Sequence, residues 1–428
     1  MARTSKKLKL LVYYQKNLIG HLSRELNGAI EFQYDESWIN NGYAISLSLP
    51  LTKSKYKGEA AAHYFQNLLP DNKNILEAVA LKFGAQSIEA VDILAQIGRD
   101  CVGAISLYKA DDEVEFDEKI KVKTLSSKQI ANKIKNLSRD NPLGMEDNDF
   151  KLSLAGAQEK MALLYWQNKW CEPKGATATS HIIKKQMGQI LGGIDFSESV
   201  ENEHFSLELA KFFGLNTCET DIQIFEDEKV LAIKRFDRYW KDNFIYRVTQ
   251  EDLNQALGKA PSEKYERNGG PSIKDMMKLI KTSNNSYDAK NLFKLFIYND
   301  LIYNTDGHAK NVSIYLSNKG YALTPFYDLL SAHFLKEQDA KRYQNLRSSL
   351  SVNSKFLYAD ITIDDWQNEA KECGLSLDEF KEIISELKEK IEMIDSFELS
   401  SKSKTMCKRQ GKLILSGLKA RARSLKLL

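Results

Sequence analysis

Two acids and an amide in one short stretch of the chain constrain both its chemistry and its fold. Residues 304–311 read NTDGHAKN, so Asp306 stands five positions before Asn311, and Asp328 follows in the run LTPFYDLLS. A carboxylate can accept the proton of a hydroxyl nucleophile, whereas an amide and a second carboxylate offer oxygen ligands to Mg²⁺. Phosphoryl transfer needs these groups, and the fold must bring the loop and the later acid together.

The catalytic loop of protein kinases has the same spacing from the basic Asp to the metal-binding Asn. Read singly, Asp306 is a common turn residue and Asp328 a common helix N-cap. A predicted helix over 289–303 leads directly into the loop, and this agreement favours the catalytic interpretation. We therefore predict that Asp306 is the general base and that Asn311 and Asp328 bind the metal.

Two further residues of the loop have plausible roles. For His308 we favour a structural role that holds the loop in shape over proton transfer. Lys310 could steady the transferring phosphate by its charge, although a solvated loop lysine is an equally good interpretation.

Composition narrows the class of protein. The 428 residues are 43% hydrophobic and 28% charged, which predicts two or three globular domains. The net charge of +3 does not by itself indicate a nucleic-acid binder, and no window is apolar enough to cross a membrane. The five cysteines include no CxxC pair, so we expect reduced thiols, no zinc site and a cytoplasmic protein.

The organisation of the chain predicts an α+β fold. Residues 1–110 mix strands and helices, and 111–149 are polar and charged, as expected of a linker with one helix. Residues 150–237 are rich in strands, and 238–428 are mostly helical outside the 304–328 segment. A small strand-rich lobe followed by a large helical lobe predicts a two-lobed, protein-kinase-like fold with an additional N-terminal α+β subdomain.

The small lobe offers candidate phosphate-binding groups. A loop in SLAGAQEK could present backbone N–H groups to phosphate oxygens, although it matches neither standard glycine-rich motif. Its predicted nucleotide-binding residues are Ala155, Gly156, Ala157 and Gln158. Ser153 could be a self-phosphorylation site, but a local hydrogen bond is the default role for such a serine. Lys184 ends a predicted strand and would pair with Glu203 on the next helix, as in kinase small lobes.

The C-terminal stretch 402–428 carries nine Lys and Arg residues and no acid. We favour the solvated face of an amphipathic helix over a surface for DNA or an acidic partner.

Taken together, these motifs resemble the HipA family of serine/threonine kinase toxins. The resemblance runs over nearly the whole length and includes GRDCVGAISLY, SLAGAQEKMALL, TATSHIIKK, LAIKRFDR, KYERNGGP and NTDGHAKN. It implies ATP and Mg²⁺ as cofactors, a lobe linker at 231–236 whose backbone meets adenine, including Lys234 and Phe236, and an activation loop at 185–198. Lys234 stands where an acid is expected, so at this position we expect adenine to be met by the backbone.

The same resemblance implies a regulated toxin. Ser153 matches the serine that is autophosphorylated in the family. The expected substrate is an aminoacyl-tRNA synthetase, with the glutamyl enzyme first, and the expected partners are a helix-turn-helix antitoxin dimer and, through it, operator DNA. Two alternatives stay open: a degenerate kinase fold that acts only as a DNA-bound co-repressor, and a small-molecule or lipid kinase.

Overall fold

The computed structural model of the chain describes residues 7–114, 116, 119–137, 143, 153, 155, 158–190 and 192–428. These residues form an N-terminal α+β unit, a strand-rich lobe and a helical lobe. None of the helices in these described ranges is long and apolar enough to cross a membrane.

The N-terminal unit is a five-stranded antiparallel sheet in the order β4-β3-β2-β1-β5, with helices packed on it. Alternation along the first strand buries Leu10 and Val12 and leaves Lys9 exposed, which is the period of two expected of a half-buried strand. The strands are β1 (Leu8–Tyr14), β2 (Asn17–Arg24), β3 (Ile30–Tyr34), β4 (Tyr56–Lys57) and β5 (Ile105–Lys109). The helices are α1 (Glu36–Asn41), α2 (Glu59–Gln66), α3 (Lys73–Phe83) and α4 (Ala90–Ile97).

The strand-rich lobe is built on a six-stranded antiparallel sheet in the order β12-β13-β9-β7-β8-β6. Two short hairpins, β10-β11 and β14-β15, lie outside this sheet. The strands are β6 (Val122–Thr124), β7 (Lys160–Trp166), β8 (Lys169–Pro173), β9 (His181–Lys185), β10 (Gly188–Ile190), β11 (Ile194–Phe196), β12 (Thr220–Phe225), β13 (Glu228–Lys234), β14 (Arg238–Lys241) and β15 (Phe244–Arg247). The helices are α5 (Ser127–Lys135) and α6 (Ser199–Phe212).

The helical lobe surrounds a small three-stranded sheet, β16-β17-β18, which lies beside the 304–311 loop. The strands of this sheet are β16 (Gln250–Asp252), β17 (Ser313–Ser317) and β18 (Gly320–Leu323). A separate hairpin of the lobe contains β19 (Arg347–Val352) and β20 (Lys355–Leu357). The helices of the lobe are α7 (Leu253–Ala256), α8 (Ile273–Ile280), α9 (Asp288–Leu301), α10 (Leu335–Gln338), α11 (Ala340–Gln344), α12 (Ile363–Glu372), α13 (Leu377–Glu392), α14 (Ser401–Met406) and α15 (Lys408–Ser424).

The predicted α+β class is observed, and the domain boundaries stay predictions. Within the predicted linker, β6 pairs with β8 and therefore belongs to the small-lobe sheet. The basic C-terminal helix packs through buried Ile414, Leu418 and Ala422. One of its cations is not solvated: Arg421 is buried and donates to Asp300 from Nε at 2.6 Å. All five cysteines are buried and none forms a disulfide.

A buried cluster of charges joins the N-terminal unit to the strand-rich lobe. Asp100 accepts hydrogen bonds from Arg238 Nη2 at 2.8 Å and Thr179 Oγ1 at 2.7 Å. The Arg235 and Arg247 guanidinium groups lie 3.4 Å from the same carboxylate. Burial by itself would raise the pKa of Asp100, but the three guanidinium groups outweigh burial and hold this pKa well below its ordinary value.

A second carboxylate in the cluster neutralises part of the remaining positive charge. Asp237 accepts from Arg235 Nη2 and from the backbone N–H of Gly103, both at 2.7 Å. Gly103 has φ +76°, and a Cβ there would lie 2.9 Å from the Gln250 carbonyl oxygen. The GRDCVGA turn therefore requires glycine at this position to reach the other two units.

We predict that Asp100→Asn destabilises the chain by about 3–5 kcal/mol, because it removes one of the two carboxylates that neutralise the buried guanidinium groups. Urea unfolding at pH 7 measures this change. The contribution of Asp100 is fully present above the pKa of an unfolded Asp, about 4, and is lost as the pH falls below it.

Glu36→Gln is the matched control, because Glu36 pairs with Lys53 across 3.4 Å at a highly exposed site. Its expected cost is under about 1 kcal/mol. Equal losses in the two variants would contradict a special role for the buried cluster.

Candidate functional site

The 304–311 loop begins at a sharp turn after helix α9. Tyr303 has a left-handed backbone with φ 52°, and the Asn304 N–H donates to the Asn299 carbonyl at 2.8 Å. The Asn304 side-chain oxygen then accepts from the Asp306 N–H at 3.1 Å. These bonds end the helix and turn the chain so that Asp306 faces away from the core.

Asp306 and Asn311 lie together in this loop. The Asn311 side-chain amide donates to the Asp306 carbonyl oxygen at 2.8 Å, which fixes the orientation of the amide. The Asp306 carboxylate is 54% exposed, and its Oδ1 accepts from the Tyr265 hydroxyl at 2.5 Å. The predicted base is therefore accessible and is held by a tyrosine that sequence reasoning did not include.

His308 is buried in the loop, in keeping with the structural role that we favoured. Burial lowers the pKa of His308 to about 4, so the imidazole is neutral at pH 7. Its Nε2 lies 3.6 Å from Asp306 Oδ1, and its ring packs edge-on against Tyr265 with centroids 5.0 Å apart.

Lys310 is paired with the N-terminal unit. Its ammonium donates to Asp71 Oδ1 at 2.5 Å, and Lys264 donates to the other oxygen of the same carboxylate at 3.0 Å. Burial opposes ionisation of Asp71, but the two ammonium groups outweigh burial and lower its pKa below the ordinary value. The alternative of a solvated loop lysine is therefore wrong, because Lys310 is buried in an ion pair.

Lys184, Glu203 and Asp328 form a second group. The Lys184 ammonium at the end of β9 donates to Glu203 Oε1 of helix α6 at 2.7 Å and forms a short contact with Asp328 Oδ1. Lys184 and Glu203 are both almost fully buried, so their charges need each other. Asp328 has a left-handed backbone with φ 54°, a conformation that is rare outside glycine and recurs at functional sites.

Tyr327 connects the two groups of predicted site residues. It precedes Asp328, and its hydroxyl donates to the Lys310 carbonyl at 2.9 Å, next to Asn311. The same hydroxyl contacts Ser313 Oγ at 2.6 Å. Tyr327 therefore links the loop that carries Asp306 and Asn311 to Asp328, which in turn contacts Lys184.

The 153–160 loop is described in part. Gly156 and Ala157 lie outside the described residues. The Ala155 carbonyl accepts from the Lys160 ammonium at 2.6 Å, and the Gln158 side chain donates to the Lys185 carbonyl at 2.8 Å. Burial, followed by the repulsion of Lys184, lowers the pKa of Lys160 to about 7.

Ser153 faces the N-terminal unit. Its hydroxyl is buried and donates to the Leu68 carbonyl at 2.7 Å, and its N–H donates to the Asp100 carbonyl at 3.1 Å. Both bonds are long-range, so the local hydrogen bond that is the default for such a serine is not what holds it.

Of the two residues predicted in the lobe linker, Lys234 is exposed and Phe236 packs toward the site residues. The Lys234 side chain is exposed and pairs with Glu219 at 3.0 Å, while its N–H donates to the Glu219 carbonyl at 2.9 Å. Phe236 is half-buried and packs against Tyr327, with ring centroids 5.6 Å apart. Phe236 is therefore the closer of the two to the site residues.

The predicted activation segment 185–198 contains the hairpin β10-β11. Its second strand docks on the helical lobe, where Phe196 packs against Phe334 with centroids 4.6 Å apart. Gln338 exchanges two hydrogen bonds with the Asp195 backbone, at 2.9 and 3.0 Å.

The donor set fits a hard cation. Because the Asn311 N–H₂ group is engaged with the Asp306 carbonyl, its oxygen is left as a ligand, and Asp328 offers a carboxylate. These are oxygen ligands, which Mg²⁺ prefers. Among the described residues, no group of three or more His, Cys, Asp and Glu is placed to hold a metal by itself, so a nucleotide would have to complete the shell.

Sequence reasoning missed four charged or hydroxyl-bearing residues of the site: Asp71, Lys160, Lys264 and Tyr265. The motifs SLAGAQEK and KYERNGGP contain three of them, and the LLPDN run contains Asp71. The sequence identified these motifs but did not indicate which residue of each one faces the site. That choice depends on packing between segments far apart in the chain.

Comparison with known proteins agrees with the resemblance. The family model "HipA-like C-terminal domain" matches residues 152–394, and "HipA N-terminal domain" matches 10–108. Y4mE of Sinorhizobium fredii is 29% identical over 375 residues, covering 86% of each chain. The "Serine/threonine-protein kinase toxin HipA" of Shewanella oneidensis is 26% identical over 370 residues, covering 83% of this chain and 82% of that protein.

A solved structure has the same fold. It is the Shewanella oneidensis "Toxin Antitoxin System HipA, HipB and its operator DNA complex", with a TM-score of 0.79 and 23% identity. The match covers 97% of this chain and 98% of that one, and it confirms the predicted two-lobed, kinase-like fold with an N-terminal subdomain. The two family models together span most of the sequence. The chain therefore belongs to the HipA family, the family of the serine/threonine-protein kinase toxin HipA.

Proposed function

We propose that this chain is an ATP-dependent serine/threonine protein kinase and the toxin of a toxin–antitoxin pair. The observation that carries the proposal is the accessible Asp306 carboxylate, bonded through its own backbone to Asn311 and joined through Tyr327 to the Lys184–Glu203–Asp328 group. A hydroxyl, a metal-bound triphosphate and a fixed base are the three things that phosphoryl transfer must bring together.

The residues divide the work between them. Asp306 accepts the proton of the attacking serine hydroxyl, and Lys184, held by Glu203, contacts the nucleotide phosphates. Asn311 and Asp328 would hold Mg²⁺, which neutralises phosphate charge when bound. Lys160 and Lys310 add positive charge on the phosphate side.

The proposed regulation acts through Ser153. Phosphorylation there would add about −2 of charge and remove the hydroxyl that now donates to the Leu68 carbonyl. A dianion cannot occupy this buried position, so the loop would have to leave its place beside Lys160. The enzyme would then lose its phosphate-binding segment.

We further propose a protein substrate and partners on the basis of the family. The substrate would be an aminoacyl-tRNA synthetase, the glutamyl enzyme first, whose phosphorylation would lower translation. The support for a helix-turn-helix antitoxin dimer and operator DNA as partners is that the similar solved structure is a complex of HipA with HipB and operator DNA.

We predict that Asp306→Asn lowers phosphoryl transfer by on the order of 10²–10⁴-fold, because the amide cannot accept the hydroxyl proton. Transfer of radiolabelled γ-phosphate to purified glutamyl-tRNA synthetase and to a dephosphorylated bacterial extract measures this. Asp364→Asn, at an exposed position of helix α12, is the control and should transfer at the wild-type rate. Transfer by Asp306→Asn at that same rate would refute the assignment of the base.

We predict that binding of Mg-ATP takes up close to one proton at pH 8. The pKa of Lys160 is about 7, so most of its amine is neutral at that pH, and an adjacent triphosphate favours the ammonium. Titration calorimetry in two buffers of different ionisation enthalpy measures the uptake. Lys160→Met should abolish it; uptake that persists in this variant would show that another group takes the proton.

We predict that incubation with Mg-ATP places a single phosphate on Ser153, detected by mass spectrometry of the tryptic peptide. Ser153→Ala should lack this phosphopeptide and stay active longer, because its loop cannot be ejected. A phosphopeptide elsewhere, with Ser153 unmodified in the wild type, would contradict the proposed regulation.

A further inference from the structure

Tyr265 contacts the predicted base more closely than any other side chain in the described part of the structure. Its hydroxyl donates to Asp306 Oδ1 at 2.5 Å, and its ring packs against His308. Burial, followed by the nearby Asp306 charge, raises the pKa of Tyr265 well above its ordinary value. The hydroxyl therefore keeps its proton and stays a donor at every physiological pH.

The backbone around Tyr265 holds it in one place. Its carbonyl accepts from the N–H groups of Asn268 at 2.9 Å and Gly270 at 3.1 Å, which closes a tight turn. A Cβ at Gly270 would lie 1.9 Å from the Glu263 carbonyl oxygen, so the turn has no room for a side chain there. The tyrosine is thus presented from a rigid turn rather than from a long loop.

The N-terminal unit fixes the same turn from the other side. Lys264 precedes Tyr265, its ammonium lies 5.2 Å from the Tyr265 ring centroid, and it donates to Asp71 at 3.0 Å. Asp71 also binds Lys310 of the catalytic loop. One carboxylate of the N-terminal unit therefore joins the tyrosine turn to the loop that carries Asp306.

A carboxylate that acts as a base must present one oxygen to its substrate in a defined direction. Tyr265 and His308 both approach Oδ1 of Asp306, at 2.5 and 3.6 Å. With Oδ1 held in this way, rotation of the carboxyl group is restricted, while the side chain as a whole stays 54% exposed. Positioning of this kind is worth large factors in rate, because a misplacement of about 1 Å can cost on the order of 10²-fold.

We propose that Tyr265 is a positioning residue for the catalytic base. It holds one oxygen of Asp306 so that the other meets the acceptor hydroxyl, and the Lys264–Asp71–Lys310 bridge keeps it in register with the loop. This inference rests on the proposed kinase function. It assigns a task in catalysis to the KYERNGGP segment and, through Asp71, to the N-terminal unit.

The test compares Tyr265→Phe with a matched control in the full-length chain. Tyr265→Phe keeps the ring that packs on His308 and removes only the hydroxyl. Tyr321→Phe also removes one hydrogen-bonded hydroxyl, since Tyr321 donates to the Leu279 carbonyl at 2.7 Å in the helical lobe. The assay is the initial rate of γ-phosphate incorporation into a dephosphorylated bacterial extract at varied Mg-ATP, with the melting temperature of each variant measured in parallel.

We expect Tyr265→Phe to lower the apparent kcat by on the order of 10- to 100-fold, with KM for ATP and the melting temperature close to wild type. Tyr321→Phe should keep the wild-type kcat. Lys264→Gln should give a smaller loss of about 3- to 10-fold, because it loosens the turn without removing the hydroxyl.

Each other result overturns the inference in a distinguishable way. An unchanged kcat in Tyr265→Phe refutes the positioning role and leaves the kinase function standing. A higher KM for ATP with unchanged kcat makes Tyr265 a nucleotide-binding residue instead. Equal losses in Tyr265→Phe and Tyr321→Phe indicate a general loss of packing. A wild-type chain that incorporates no label refutes the kinase function, and the inference fails with it.

Discussion

The buried carboxylate of Asp100 is the interaction on which the arrangement of the units depends. It neutralises guanidinium groups of the strand-rich lobe, from Arg235 just after β13, Arg238 in β14 and Arg247 in β15. Three guanidinium groups cannot be buried together without such a counter-charge. Asp237 shares the neutralisation of Arg235 and Arg238, but Asp100 is the carboxylate of the cluster that the N-terminal unit supplies, and it ties that unit to the strand-rich lobe.

This attachment places residues of the N-terminal unit in the candidate site. The same unit contributes the Leu68 carbonyl, which holds the Ser153 hydroxyl, and Asp71, which holds Lys310 and Lys264. We expect the 153–160 loop and the 304–311 loop to bind phosphate. Both loops are hydrogen-bonded to the N-terminal unit. Displacement of that unit would disturb phosphate binding and the base together.

Much of the fold was readable because its signals are local. The first strand alternates with a period of two, the two helices between Glu59 and Phe83 are separated by Pro70, and the 289–303 helix leads straight into the loop. Helix α4 and strand β6 were missed. The first is buried almost all round, Asp92 included, so it lacks the exposed polar face of a surface helix, and the second has three residues and gains its identity from pairing with β8.

In the candidate site too, local features could be predicted from the sequence and long-range pairings could not. The spacing of Asp306 and Asn311, and the acid at 328, could be read from the sequence because a loop that serves one metal and one base needs its donors close in the chain. The orientation of Lys234 toward Glu219, and the burial of Lys310 against Asp71, could not be read in this way. Each lysine pairs with an acid that is distant in the sequence. Because the chain contains many acids, the sequence does not indicate which one is the partner.

The sequence by itself therefore predicted the chemistry, namely the proton acceptor and the ligands of a hard cation, and it indicated the family to which the chain belongs. The tertiary structure alone decided how those groups are held. Asp71, Lys264 and Tyr265 take their places beside the catalytic loop because three units pack around buried charges, and such charges find partners by proximity in space rather than by spacing along the chain.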